Sequence, residues 1–187
     1  MGSFDLDLPT ETVSRLGEYY SLLTRWNDRL HLVAPCTPEE FAVRHVLESL
    51  MLLKHFPTNA RVVDIGSGGG LPIIPCLIAR PDLHATLVES SQKKSVFLRE
   101  AARGFQATII ARPFEQIDPP PADFITCRAL DQFMQKLPDL IEWAPQSGTL
   151  LLFGGETLRE ELRKANVKFE AFLIPQSEKR FLFLATD

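Results

Sequence analysis

The chain has 187 residues, 45% of them apolar and 24% charged, which fits one soluble globular domain with room for a substantial core. Its net charge of −4 argues against an extended nucleic-acid surface, because phosphate contacts need concentrated Lys and Arg, although a local basic patch stays open. Cys36, Cys76 and Cys127 are odd in number and lack metal-ligand spacing, so they read as reduced thiols with no metal site. No charged-then-apolar leader opens the chain and no apolar run reaches spanning length, so the expected compartment is the cytoplasm, with no membrane partner.

Leu8-Pro9-Thr10-Glu11 reads as a helix start. Leu16, Tyr20, Leu23, Trp26 or Asn27, and Leu30 then recur every three or four residues as one apolar face. Pro35 and Pro38 interrupt the pattern. A second helix is expected from Glu39 to Phe56, with Val43, Val46, Leu47, Leu50 and Leu53 on its inner face and Arg44, His45, Glu48 and Ser49 among its polar positions. Three of the four histidines lie in this region without metal-ligand spacing. Residues 1–58 are therefore expected to form a helical cap and residues 59–187 a sheet-based core, together one compact unit.

The stretch from Arg61 to Pro72 organises the core. A β-branched run ends in Asp64-Ile65 and then Gly66-Ser67-Gly68-Gly69-Gly70-Leu71-Pro72. The reading is strand, tight glycine turn and helix, with Pro72 in the first helical turn, the opening unit of a nucleotide-binding α/β sheet. The glycine spacing is G-x-G-x-G, not the G-x-G-x-x-G of dinucleotide folds. Glu89 ends the next apolar run 19 residues beyond Gly70, close to the roughly 20 expected of a ribose-binding carboxylate. A glycine-lined turn with Asp64 just before it suits a sulfonium ligand better than a pyrophosphate, which points to S-adenosylmethionine.

The remaining elements alternate. Strands are expected at 85–88, 107–111, 123–127, 149–153, 169–174 and 181–185, and helices at 73–80, 92–103, 131–143 and 156–165. In the helix after Glu89, Val96, Phe97 and Ala101 are expected to face inward, while Lys93, Lys94, Arg99 and Arg103 form the densest basic cluster. Ser147-Gly148 is read as a turn, and the last two strands as a terminal hairpin. The predicted class is α/β, a mostly parallel seven-stranded sheet with helices on both faces and an antiparallel final strand. Ligands on such sheets bind beyond the carboxyl ends of the strands, which here carry Asp64, Gly66, Glu89, the Pro113-Phe114 loop, Arg128 and Gly154.

Trp26-Asn27, then Arg44-His45-Val46-Leu47-Glu48-Ser49, Asp64-Ile65-Gly66-Ser67-Gly68-Gly69-Gly70-Leu71-Pro72, Leu87-Val88-Glu89-Ser90, Arg112 with Glu115, and Cys127-Arg128-Ala129 resemble the bacterial ribosomal RNA methyltransferase family called RsmG or GidB. The likeness covers about residues 15 to 155. It implies a class I S-adenosylmethionine-dependent methyltransferase, Rossmann-like, that methylates N7 of one guanine in small-subunit (16S) ribosomal RNA. It also implies cofactor contacts at Gly66, Leu71, Pro113, Phe114 and Arg128, with Glu89 on the ribose, and the glycine-loop reading adds Asp64, Ser67, Gly68 and Gly70. Arg128 is the expected catalytic residue, holding either the guanine or the cofactor carboxylate. The partner is the small subunit or its RNA, and the chain is expected to act as a monomer. The sequence departs from the family pattern at His31, Val33, Cys36, Ile73 and Gly154. These departures keep in view a methyltransferase acting on a small molecule or protein, and a non-catalytic ribosome-associated module.

Overall fold

The computed structural model describes residue 4 and residues 6–128, 133–144 and 148–186. Seven strands form one sheet in the order β3-β2-β1-β4-β5-β7-β6. They are β1 Arg61–Ile65, β2 His84–Val88, β3 Ala107–Ile110, β4 Phe124–Cys127, β5 Thr149–Gly154, β6 Lys168–Leu173 and β7 Phe181–Thr186. β1 to β5 pair in parallel, and β7 pairs antiparallel with both β5 and β6. β6 and β7 form the expected terminal hairpin, with β7 as its inner strand between β5 and β6. Its run Leu182 to Ala185 is buried except at Leu184, as a strand with neighbours on both edges requires.

Strand alternation divides the interior into two cores. Val62, Ala85, Leu87, Leu151, Phe153 and Leu182 face one way, and Val63, Ile65, Ile125, Leu150, Leu152 and Phe183 the other. Helices α4 (Ile73–Ala79), α5 (Gln92–Ala101) and α1 (Thr10–Leu30) cover the first face. Helices α6 (Phe133–Trp143) and α7 (Glu156–Lys164) cover the second. Fully buried side chains such as Leu52, Ile74 and Leu77 contribute about 2 kcal/mol each. The expected start of α6 at Asp131 and the turn residue Ser147 lie outside the described residues.

The cap departs from simple periodicity. On α1 it is Tyr19 that is buried, with Leu16 and Leu23, while Tyr20 stacks at 4.8 Å on Phe41. The second helix is composite: α2 (Pro38–Phe41), a π-helical turn (Ala42–Leu47), α3 (Glu48–Leu50) and a 3₁₀ turn (Met51–His55). Its start is fixed by Thr37, which accepts from the Glu40 amide while Glu40 accepts from the Thr37 amide. The wider π turn advances the helix face, so Glu48 and Ser49 turn inward and Leu52, in place of Leu53, joins Leu50 as a fully buried leucine. On α5, Phe97 and Leu98 carry the core contact, whereas Val96 is half exposed. Pro72 stands at the cap of α4, after a cis Leu71-Pro72 bond, and the helix begins at Ile73.

Candidate functional site

The chain builds β2 and β3 to one side of β1 and then places β4 on the other, so the carboxyl ends of β1 and β4 flank a topological switch point. A cleft of about 370 Å³ opens there. Its floor is the glycine loop. The Gly66 and Ser67 amides donate to the Val88 carbonyl at 2.9 and 3.2 Å, and the Gly70 amide to the Ser67 carbonyl at 2.6 Å. Gly68 and Gly70 have φ of +51° and +79°, where a side chain is strained, and a Cβ on Gly70 would also overlap Ile74. From the cap, the Tyr19 hydroxyl donates to the Gly69 carbonyl at 2.5 Å.

Glu89 follows the last residue of β2 and is 6% exposed. One carboxylate oxygen accepts from the Gly68 amide at 2.8 Å and the other from the Ser91 amide at 2.7 Å. The acid therefore ties the glycine loop to the start of α5. Each oxygen keeps a lone pair for a further donor.

Asp64 lies beneath the loop, fully buried, as the register partner of Thr126 on β4. The Thr126 hydroxyl donates to Oδ1 at 2.7 Å, and Oδ2 has no partner. Burial pushes this carboxyl up to about 7, against the opposing effect of the Thr126 hydrogen bond. Oδ2 is closed off from solvent beneath the loop, so the orphaned oxygen adds to the cost of ionising this carboxyl.

Arg128, just past β4, is 15% exposed and lines the cleft. Its guanidinium turns towards the cap. Nη1 donates to the His45 carbonyl at 3.4 Å, and Nη2 contacts the Arg44 carbonyl, His45 Nδ1 at 3.1 Å and Glu48 Oε2 at 3.4 Å. Glu48, 2% exposed, also accepts from Arg180 of the β6–β7 connection through its other oxygen. Three distant segments meet on one carboxylate. Burial, helped by Arg128, Arg44 and Arg180, holds the His45 imidazole down at about 4, so the ring is neutral near pH 7.

Of the residues expected at the site, Gly66, Ser67, Gly68, Leu71, Glu89, Pro113, Phe114 and Arg128 line the cleft. Asp64 sits below it, and Gly70 packs towards Ile74 and Leu98. Ala129 lies outside the described residues. Trp26 and Asn27 are fasteners. The Trp26 indole donates to Glu100 on α5 at 3.0 Å, while Asn27 exchanges hydrogen bonds with both backbone groups of Val33 and so holds the cap loop over the cleft. Sequence reasoning missed Tyr19, Thr126, Arg180, and Lys136 on α6, whose ammonium reaches Glu115 at 2.6 Å beside the Phe114 ring. It named His45 without a role. Burial pushes the Cys76 and Cys127 thiols up, which keeps them protonated. Among the described residues no cluster of acids, histidines and cysteines could hold a metal, and no helix is long and apolar enough to cross a membrane.

The family model for GidB, rRNA small subunit methyltransferase G, matches residues 12–184. The chain is 40% identical over 162 residues to "Ribosomal RNA small subunit methyltransferase G" of Gluconobacter oxydans, covering 83% of this chain and 81% of that protein. It is 36% identical over 176 residues to the protein of the same name from Sorangium cellulosum, covering 89% and 74%. Among solved structures, a SAM dependent methyltransferase from Aquifex aeolicus superimposes with a TM-score of 0.63 at 13% identity, over 89% of this chain and 98% of that one, a likeness of fold. The chain belongs to the GidB family, rRNA small subunit methyltransferase G, and has the fold of the class I S-adenosylmethionine-dependent methyltransferases.

Proposed function

We propose that this chain transfers the methyl group of S-adenosylmethionine to N7 of a guanine in the RNA of the small ribosomal subunit, acting as a monomer in the cytoplasm. The observation that carries the reading is the pairing of the family match over residues 12–184 with Glu89 at the carboxyl end of β2, fixed on the glycine loop and still able to accept two ribose hydroxyls. The residues present fit the cofactor. The Gly66 to Leu71 loop would take its methionine part and Pro113 and Phe114 its adenine, with the buried Asp64 carboxyl acting on the cationic end across the loop and not by contact. When bound, S-adenosylmethionine would supply an electrophilic methyl group on a sulfonium, for which the N7 lone pair is the acceptor, with the thioether as leaving group and the positive charge ending on the purine.

No proton has to be removed from N7, because its in-plane lone pair is already free. The protein's work is therefore to align the base and exclude water. Arg128 serves as a positioning residue in this reading. Its fork holds the Arg44 and His45 carbonyls, so the cap wall of the cleft keeps its place above the glycine loop.

The test is transfer of a labelled methyl group to purified small ribosomal subunits that lack the modification. Labelled 7-methylguanine after digestion is the expected product. Label on another base or on protein, or no label beside intact S-adenosylhomocysteine binding, would contradict the reading.

A further inference from the structure

His45 sits on the π-helical turn, half-buried, with its ring 5.2 Å from Phe41, and lines the cleft. Its Nδ1 is 3.1 Å from Arg128 Nη2. A guanidinium nitrogen only donates, so Nδ1 must accept. The ring is neutral near pH 7 and has one proton to place, which goes on Nε2. The contact with Arg128 thus fixes the tautomer, and the imidazole offers one neutral N–H donor.

The reaction restricts what can read the base. On its major-groove edge guanine presents two acceptors, N7 and O6, whereas adenine presents the N7 acceptor and an N6 donor. With N7 facing the methyl group, O6 is the remaining handle on that edge. Reading it takes a donor, and the same donor opposes the N6 amino group of adenine. A cationic donor would also work against the positive charge that appears on the purine as N7 is methylated. A neutral imidazole N–H carries no such penalty.

Resting on the function proposed above, we infer that His45 is the specificity-determining residue for guanine, its Nε2–H donating to O6 of the base whose N7 receives the methyl group. Arg128 acts through His45 by setting the tautomer. The Phe41 ring and the π turn hold the imidazole plane.

The test pairs a change in the base with a change in the protein. Small-subunit RNA is prepared with the target guanine replaced by 2-aminopurine, which keeps N7 but lacks O6, or by inosine, which keeps both. For the wild-type protein, kcat/KM should fall about 10- to 100-fold with 2-aminopurine and change by less than about threefold with inosine. His45→Phe keeps an aromatic ring against Phe41 but has no donor. It should be slow on guanine and lose less than about threefold more on 2-aminopurine, while His45→Gln, which returns an N–H near Nε2, should restore sensitivity to O6. S-adenosylhomocysteine affinity should stay within about twofold in both variants, a readout of folding. Equal rates on guanine and 2-aminopurine in the wild type would overturn the inference without any variant, as would an undiminished 2-aminopurine penalty in His45→Phe. If the wild type makes no 7-methylguanine in unsubstituted RNA, the functional reading itself fails first, and this inference falls with it.

Discussion

The two sides of the cleft are built differently. On the β1–β2 side, shape comes from backbone: left-handed glycines, amides donating to Val88 and Ser67 carbonyls, and Glu89 clamped between the Gly68 and Ser91 amides. On the β4 side, shape comes from side chains. There Arg128, Arg180 and the buried Glu48 join a strand end, the terminal hairpin and the cap. Backbone scaffolding fixes its geometry within one short stretch and can bind a constant ligand. The side-chain network draws on three remote segments, so in the proposed function it governs where the substrate base is placed. In the proposed function, cofactor affinity rests on the first wall and transfer on the second.

The largest effect should come from breaking the backbone side. Gly70→Val puts a branched side chain at φ +79° against Ile74, a 0% exposed residue of α4. We expect a loss of about 3 kcal/mol or more in urea unfolding, together with loss of S-adenosylhomocysteine binding. A variant that binds normally would show the loop is not held as described.

Breaking the side-chain wall should act on a different quantity. Glu48→Gln removes the charge between two guanidinium groups while keeping the shape. Stability should fall by about 2 kcal/mol, less than a fully buried pair would lose because Arg180 remains one-third exposed. Methyl transfer should fall by about tenfold or more, read as kcat on ribosomal subunits, because the guanidinium groups lose their shared anchor.

A smaller, pH-dependent effect sharpens the comparison at Asp64, which lies under both walls. Its folded value of about 7 is above its ordinary 3.8, so its contribution to stability is present below about pH 4 and lost as pH rises through 7. The α-ammonium of S-adenosylhomocysteine, held over the glycine loop in the proposed function, favours the ionised form across the loop. S-adenosylhomocysteine affinity should therefore rise by up to about tenfold between pH 6 and 8 and then level off. Asp64→Asn should flatten that rise, and a slope that persists would place the titrating group elsewhere.

The backbone side was legible in the sequence because its residues are chosen for conformation. Glycines at Gly66, Gly68 and Gly70 and the acid at Glu89 announce a turn and a ligand at the ends of two strands, and the strands themselves follow from their apolar runs. The cap was legible only in outline. A helical period of 3.6 cannot register a π turn, and the shift that buries Glu48 is invisible without it. Arg180 lies 132 residues from Glu48, and nothing local marks the pair. Arg128 was found from its place at a strand end, yet its fork turns towards the cap carbonyls, which a strand-end position alone does not reveal. The insertion of β7 between β5 and β6 depends on pairing between strands, which alternation within each strand does not encode.

The division of labour between the two walls is tested most directly by titrating S-adenosylhomocysteine calorimetrically into Glu89→Ala and Glu48→Gln side by side. Loss of the carboxylate proposed to accept two ribose hydroxyls should weaken binding by about 100-fold in Glu89→Ala, while Glu48→Gln stays within about twofold of the wild type. Equal losses in the two variants, or a normal affinity in Glu89→Ala, would contradict the account.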